Sequence, residues 1–322
     1  MYLSECINNG KIPEDMEKSL TALSEYSTKL NSSINKVSLD VQHGLDFSAV
    51  DKKGGQTSPF ASDGFYDIED ELTSYPTLIY DGPFSDQALE KKPEMLEKLN
   101  ETDKNTALNS AKKMCKNAQN LKYLYDEKGT VKCYVFSGSN YTAGVSIQGG
   151  LPVYMNYNHK VGKAKLDVSQ AEKNAEEYMK SLGFEGFKMT GYEIYGDICT
   201  TNWAYTFDGV ICYPDLIKTD VALDDGTIVG FDAAGYFMNH KERTVPKALK
   251  PVSEARDKVG RSLEVTETGL VFIPVGTREK LCYEFKCSGK NGDTVLVYIN
   301  ALTLSEEDLL IVLESEYAKL TI

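Results

Sequence analysis

Cys133-Tyr134-Val135-Phe136, Ala204-Tyr205-Thr206-Phe207 and Cys282-Tyr283-Glu284-Phe285 are three spellings of one pattern, and their reading decides the fold. Side chains alternate along an extended strand. Tyr134 with Phe136, Tyr205 with Phe207, and Tyr283 with Phe285 therefore each set two rings on one face. Upstream of each pattern stand small residues one helical turn apart: Ala107 and Ala111, Ala171 and Ala175, Ala255 and Val259. The tyrosine follows the first of them after 27, 34 and 28 residues. Ser169 with Glu172 reads as a capping box at the second helix, and Ser253 as the cap of the third. Gly138, Gly209 and Gly289 close the strands. A second strand pattern follows: Val153-Tyr154-Met155-Asn156, Val221-Ala222-Leu223-Asp224 and Val297-Tyr298-Ile299-Asn300. Each unit is expected to be a helix laid over antiparallel strands, with alanines where backbones approach and one sheet face buried. The fold class is α+β. A single unit is small, so neighbouring repeats are expected to share burial.

Outward from the repeats the chain changes character. Residues 1–56 read as a helical arm. Pro13 suits a first helical position, and Met16, Leu20, Leu23, Leu30 and Ile34 draw one apolar stripe. Residues 57–103 are a proline-rich acidic connection holding Tyr75-Pro76-Thr77-Leu78-Ile79-Tyr80-Asp81-Gly82-Pro83-Phe84-Ser85-Asp86. There Leu78 to Tyr80 suit a short strand, Asp81-Gly82-Pro83 a turn, and Ser85 a helix cap. The three units then occupy 104–166, 167–247 and 248–322. Tyr80, Asp81, Gly82, Pro83, Phe84, Ser85 and Asp86 are expected to form a docking or partner-binding loop. The competing reading is a tight turn with Phe84 plugging the junction to the first unit.

The formal net charge of −13 argues against a nucleic-acid partner. Residues 1–103 carry 20 acidic and 9 basic side chains; the rest carry 28 and 26. The acidic part reads as a solvated face, or as a surface that steers a basic partner. No apolar run approaches the ~18 residues of a membrane span. The opening Met1-Tyr2-Leu3-Ser4 reads like the end of a helix that began earlier, so a longer natural chain is expected. Seven cysteines (Cys6, Cys115, Cys133, Cys199, Cys212, Cys282, Cys287) include no Cys-x-x-Cys pair and are expected as reduced, half-buried thiols.

No constellation for catalysis stands out. His43, His159 and His240 make no His-Glu-x-x-His, and neither a Gly-x-Ser-x-Gly nor a phosphate loop occurs. Ser33…Lys36 and Ser110…Lys113 match Ser-x-x-Lys without its companion motifs. Asp67, Glu69, Asp70 and Glu71 lack the spacing of a calcium loop. No metal, no cofactor and no catalytic residue is therefore expected. The alternative kept open is a peptidoglycan-active enzyme, because paired carboxylates meet in space rather than in sequence. A muropeptide-binding protein is a third class.

The units resemble the PepSY module of bacterial propeptides and envelope proteins. The segment Tyr75 to Asp86, with Gly226-Thr227-Ile228-Val229-Gly230-Phe231-Asp232-Ala233, Tyr236…His240…Arg243 and Asn300-Ala301-Leu302-Thr303…Glu306-Glu307-Asp308, is similar to the YpeB family of spore germination proteins. One departure is Gln87, where that family's pattern suggests histidine. The resemblance implies a non-catalytic protein tethered by an N-terminal membrane anchor, which is absent from this sequence. It would sit outside the inner spore membrane, next to the cortex. The partner it implies is the cortex-lytic enzyme SleB, retained and inhibited or protected until germination, with cortex peptidoglycan as a further contact.

Overall fold

The computed structural model describes residues 93–321, apart from 117, 276, 277, 291 and 315–317. The expected helical arm and most of the connecting segment, Tyr80 to Asp86 included, lie outside the described residues. Helices α1 (Glu94–Glu97) and α2 (Lys104–Met114) precede β1 (Lys122–Glu127), β2 (Cys133–Gly138), β3 (Tyr141–Ser146) and β4 (Pro152–Tyr157). Helix α3 (Val168–Leu182) precedes β5 (Phe187–Tyr195), β6 (Ile198–Phe207), β7 (Val210–Ala222) and β8 (Ile228–Asp232). Helices α4 (Ala234–Asn239) and α5 (Val252–Arg256) lead to β9 (Glu264–Val275), β10 (Arg278–Ser288), β11 (Thr294–Asn300), β12 (Glu306–Glu314) and β13 (Ala318–Thr321). The fold is α+β, mostly sheet with few helices.

The starts of α2 and α3 are set by acidic caps. Asp103 accepts the N–H groups of Asn105 and Thr106 at 2.8 and 3.1 Å. Asp167 and Gln170 bond each other's backbone N–H reciprocally at 2.8 and 3.0 Å, and α3 ends on Gly183 in the left-handed region. This corrects the expected Ser169–Glu172 box. Lys165 and Leu166 both donate to the carbonyl of Leu223, which keeps the chain extended to residue 166, so the helix can start only at Asp167. Ser253 likewise lies inside α5, behind Pro251, which makes no side-chain cap.

The strands form one sheet in the order β1-β2-β3-β4-β8-β7-β6-β5-β13-β12-β11-β10-β9, each neighbour antiparallel to the next, with one further parallel pairing of β7 with β9. Register carries a single row across six of them: Phe136, Ala143, Met155, Phe231, Thr219 and Thr201. Helices α2 and α3 lie against this sheet, with Ala107, Ala111, Ala171 and Ala175 fully buried. Larger side chains there would hold the helices off the sheet. Each fully buried Phe or Met of the row contributes roughly 1.5–3 kcal/mol. The two threonines would be costly without partners. Their hydroxyls bond each other at 2.5 Å, and the Trp203 indole donates to Thr201 at 2.9 Å.

Two further expectations change. Val153 to Asn156 lie in β4, the fourth strand of its meander, whereas Val221 and Ala222 end β7 and Val297 to Asn300 end β11, which are third strands. The true third strand of the first meander, β3, carries Gly144 beneath the ring of Tyr154. A Cβ there would meet that ring at 2.2 Å, so no bulky signature can stand at that place. The third meander also buries both faces rather than one. Phe285, Val297 and Ile299 pack under Ala255 and Val259, while Cys282, Leu296 and Tyr298 pack against Ala204 and Tyr213 of the second meander.

Candidate functional site

Strand β7 changes partners half-way along. Ile211 and Cys212 pair in parallel with Val271 and Phe272 of β9, whereas Lys218 to Val221 pair with β8. Between these halves Tyr213, Pro214 and Asp215 are extra residues: Ala204 of β6 faces Leu216 and the next residue, Tyr205, faces Cys212. Pro214 brings no N–H, so it fits where the ladder is broken. A bulge re-aims the side chains beside it. Here Tyr213 is turned into the third meander, where its hydroxyl donates to Glu284 at 2.6 Å. Asp215 is turned toward the loop after α4.

That loop meets Asp215 with charge. Arg243 donates to both carboxylate oxygens of Asp215, at 2.7 and 2.6 Å, and to both oxygens of Glu279 on β10, at 3.0 Å each. His240 Nδ1 lies 2.6 Å from Asp215, and Lys241 reaches Glu279 at 3.1 Å. His240 stacks on Tyr236 with ring centroids 4.4 Å apart and meets the edge of Tyr205 at 5.0 Å. Asp215, Arg243 and Glu279 are buried. A planar fork between two carboxylates is the arrangement that arginine alone can complete. Burial pushes the Glu279 carboxyl up, but the hydrogen bonds and charge of Arg243, with Lys241, outweigh it and hold the group below its ordinary value. Burial likewise works against the Arg243 charge, and the two carboxylates more than reverse it. The group ties β7, the α4 loop and β10 together. Every guanidinium nitrogen of Arg243 is spent on Asp215 or Glu279.

The other segments singled out in the sequence have local duties. Gly226 to Ala233 form the β7–β8 turn and β8, after which Asp232 accepts the N–H of Ala234 at the start of α4. Asn300 closes the β11–β12 turn by accepting from Leu302 and Thr303 while donating to Glu307, which Lys280 also reaches. Tyr134 and Phe136 lie in β2, Tyr205 and Phe207 in β6, and Tyr283 and Phe285 in β10, each the second strand of its meander. Tyr134 donates to the carbonyl of Thr102, and Tyr283 to that of Lys250, so each hydroxyl holds the entry of its helix. The six described cysteines are free and buried, and burial pushes most of these thiols up to about 12. His159, Asp224 and Asp225 bring three metal-ligand atoms within 4.8 Å. Asp224 already accepts from Gly162, and Asp225 from Thr227, which accounts for the group as a clasp between loop and turn. A cavity of about 150 Å³ lies beside Leu151, Phe184, Phe187 and Tyr236. No described helix is long and apolar enough to cross a membrane.

Sequence reasoning missed Asp215 and Glu279, and one signal was available for the first. Pro214-Asp215 interrupts an otherwise apolar run from Val210 to Ile217, which marks a bulged strand with a buried acid.

Strand β1 is the other feature open to function. It is an end strand of the sheet, and Tyr123, Leu124 and Tyr125 are 39%, 58% and 48% exposed.

Comparison with known proteins places this architecture. The family model described as YpeB sporulation, PepSY1 and PepSY2 domains matches residues 61–246. The sporulation protein YpeB of Bacillus subtilis (strain 168) is 35% identical over 167 residues, which is 51% of this chain and 37% of that protein. Its counterpart in Halalkalibacterium halodurans is 31% identical over 170 residues, 52% of this chain and 38% of that protein. The matched stretch thus spans under two fifths of the length of these relatives. Among solved structures, the Bacillus megaterium YpeB C-terminal domain superposes with a TM-score of 0.60 at 24% identity, over 67% of this chain and 100% of that one, a likeness of fold. On the matched residues, the chain belongs to the YpeB sporulation family.

Proposed function

We propose that the chain is a non-catalytic accessory protein of spore germination that binds the cortex-lytic enzyme SleB and holds it stable and inactive until cortex hydrolysis. In this reading residues 104–166, 167–247 and 248–322 are three PepSY-like units behind a helical arm. The protein stands on the outer face of the inner spore membrane, between membrane and cortex. Family membership supports a role in spore germination. The observation that carries the binding is β1, an end strand with three exposed apolar side chains on a sheet whose opposite end folds back onto β7. An open edge offers a row of N–H and C=O groups to which an extended partner segment can add, with pockets for alternate side chains. The ionic group of Asp215, Arg243 and Glu279 is spent on joining elements, which suits a scaffold rather than an enzyme. The loop Tyr80 to Asp86 is a second contact in the same reading.

The test is a titration of purified SleB against this chain, with cortex digestion followed in parallel. Saturable binding and slower digestion by the bound enzyme are expected, and Leu124→Arg should weaken both. Equal digestion rates at saturation would remove the inhibitory half of the reading; undetectable binding would remove all of it. Phe84→Ala tests the second contact. Lost binding with an unchanged melting temperature supports it, and a large drop in melting temperature refers Phe84 to packing instead.

A further inference from the structure

We infer that β1 also pairs with the β1 of a second copy of this chain, across a two-fold axis perpendicular to the sheet. The inference goes beyond the binding reading and stands on a separate observation, the order of residues in β1. Its partners on β2 show a bulge between Tyr123 and Tyr125: Lys122 faces Ser137, Tyr123 faces Phe136, Tyr125 faces Val135, Asp126 faces Tyr134 and Glu127 faces Cys133. Ser137, Val135 and Cys133 share one side of β2, so Lys122, Tyr125 and Glu127 share one side of β1. Tyr123 and Asp126 share the other, where the Tyr123 hydroxyl donates to Asp126 at 2.8 Å. Without the bulge Lys122 and Glu127 would point to opposite sides of the sheet.

An antiparallel two-fold partner centred between Leu124 and Tyr125 sets Lys122 against the partner's Glu127 at both ends. It sets Tyr123 against the partner's Asp126, and Leu124 against the partner's Tyr125. The Lys122–Glu127 and Tyr123–Asp126 pairs each fall on a common side of the joined sheet. Opposite charges directly across strands stabilise a pair, and like charges destabilise it. The isologous geometry gives each such contact twice. The same pairing covers the three apolar side chains that a lone edge exposes. Of the two carboxylate oxygens of Glu127, Oε2 accepts from Tyr154 at 3.0 Å, which orients the group and leaves Oε1 for Lys122. A hydrolase segment that adds to β1 then competes with the second copy, so self-association sets how much edge is available.

Sedimentation equilibrium of the full chain over the micromolar range, without any partner protein, tests this. A concentration-dependent monomer–dimer equilibrium is expected. Lys122→Glu sets two carboxylates opposite each other at both ends and should weaken dimerisation at least about tenfold. The double variant Lys122→Glu/Glu127→Lys restores the complement and should recover most of the wild-type constant. Leu124→Arg, at an exposed position, should give a monomer whose melting temperature is unchanged. A monomeric wild type at all concentrations would overturn the inference, as would a dimer indifferent to Leu124→Arg. Failure of the double variant to recover while its circular dichroism remains native would overturn the proposed register. None of these readings involves SleB, so they separate this inference from the binding proposal.

Discussion

The two ends of the thirteen-strand sheet are finished in different ways. At the β9 end, Val271 and Phe272 pair with the first half of β7. The unpaired remainder of β9 exposes Glu264, Thr266, Glu267 and Thr268, the polar and acidic surface that discourages a further strand. The β1 end carries a bulge at Leu124 and exposes Tyr123, Leu124 and Tyr125 between Lys122 and the Asp126-Glu127 pair. On the proposed reading β1 is the edge that a partner covers, while the bulge of β7 serves stability.

The most damaging way to break the closed end is Arg243→Met. It removes the guanidinium that Asp215 and Glu279 share, leaving only His240 beside the one and Lys241 beside the other, and should cost about 3 kcal/mol by denaturant unfolding. Loss should centre on the contact between the second and third meanders, which hydrogen exchange on β9 and β10 would report. Restoring neutrality with Asp215→Asn and Glu279→Gln in the same chain should recover part of it.

The next effect is a pH dependence, with opposite signs for two carboxylates of the closed end. Burial pushes Glu284 up, and the hydrogen bonds of Tyr213 and Tyr298 only partly offset this. Its ordinary value is 4.5. As pH rises from there through the folded value, the folded state binds the extra proton, so stability is lost. Glu279 is held down, so its contribution is present above 4.5 and is lost as pH falls through its lower folded value. Glu284→Gln should flatten the loss of stability that sets in as pH rises above 4.5 and leave intact the loss below it that Glu279 causes. An unchanged profile would show that Glu284 is not the group responsible.

Smaller again is the helix cap. Asp167→Ala should cost about 1 kcal/mol, and Ser169→Ala less than about 0.5 kcal/mol, because only the former accepts from the first turn. At the open end, Leu124→Arg should change unfolding free energy by no more than about 0.5 kcal/mol while altering association. That contrast, a large stability loss at one end and almost none at the other, is what the comparison predicts.

Much of the core was legible because it obeys short periods. The alanines Ala107, Ala111, Ala171, Ala175 and Ala255 lie one helical turn apart or mark a helix start, and all are fully buried. The Tyr-x-Phe steps fall in β2, β6 and β10, the second strand of each meander. Other features escaped because they depend on distant parts of the chain. The start of α3 is fixed by bonds from Lys165 and Leu166 to Leu223, nearly sixty residues away, so the nearer serine misled. The first meander hid its third strand because Gly144 must yield to Tyr154. Tyr236, His240 and Arg243 drew notice as a motif, yet their meaning rests on Asp215 and Glu279, which reach them only through a bulge and a neighbouring meander. Which end of the sheet folds back follows from the β7–β9 pairing, between residues some sixty positions apart.

Hydrogen exchange of β1 with and without SleB tests the central claim most directly, at a chain concentration low enough for the monomer to dominate. The account predicts that amides between Lys122 and Glu127 slow on addition of the enzyme, while those of Glu264 to Thr268 on β9 keep their rates. It predicts that Leu124→Arg abolishes the slowing. Binding of the enzyme with unaltered exchange throughout β1 would contradict the account.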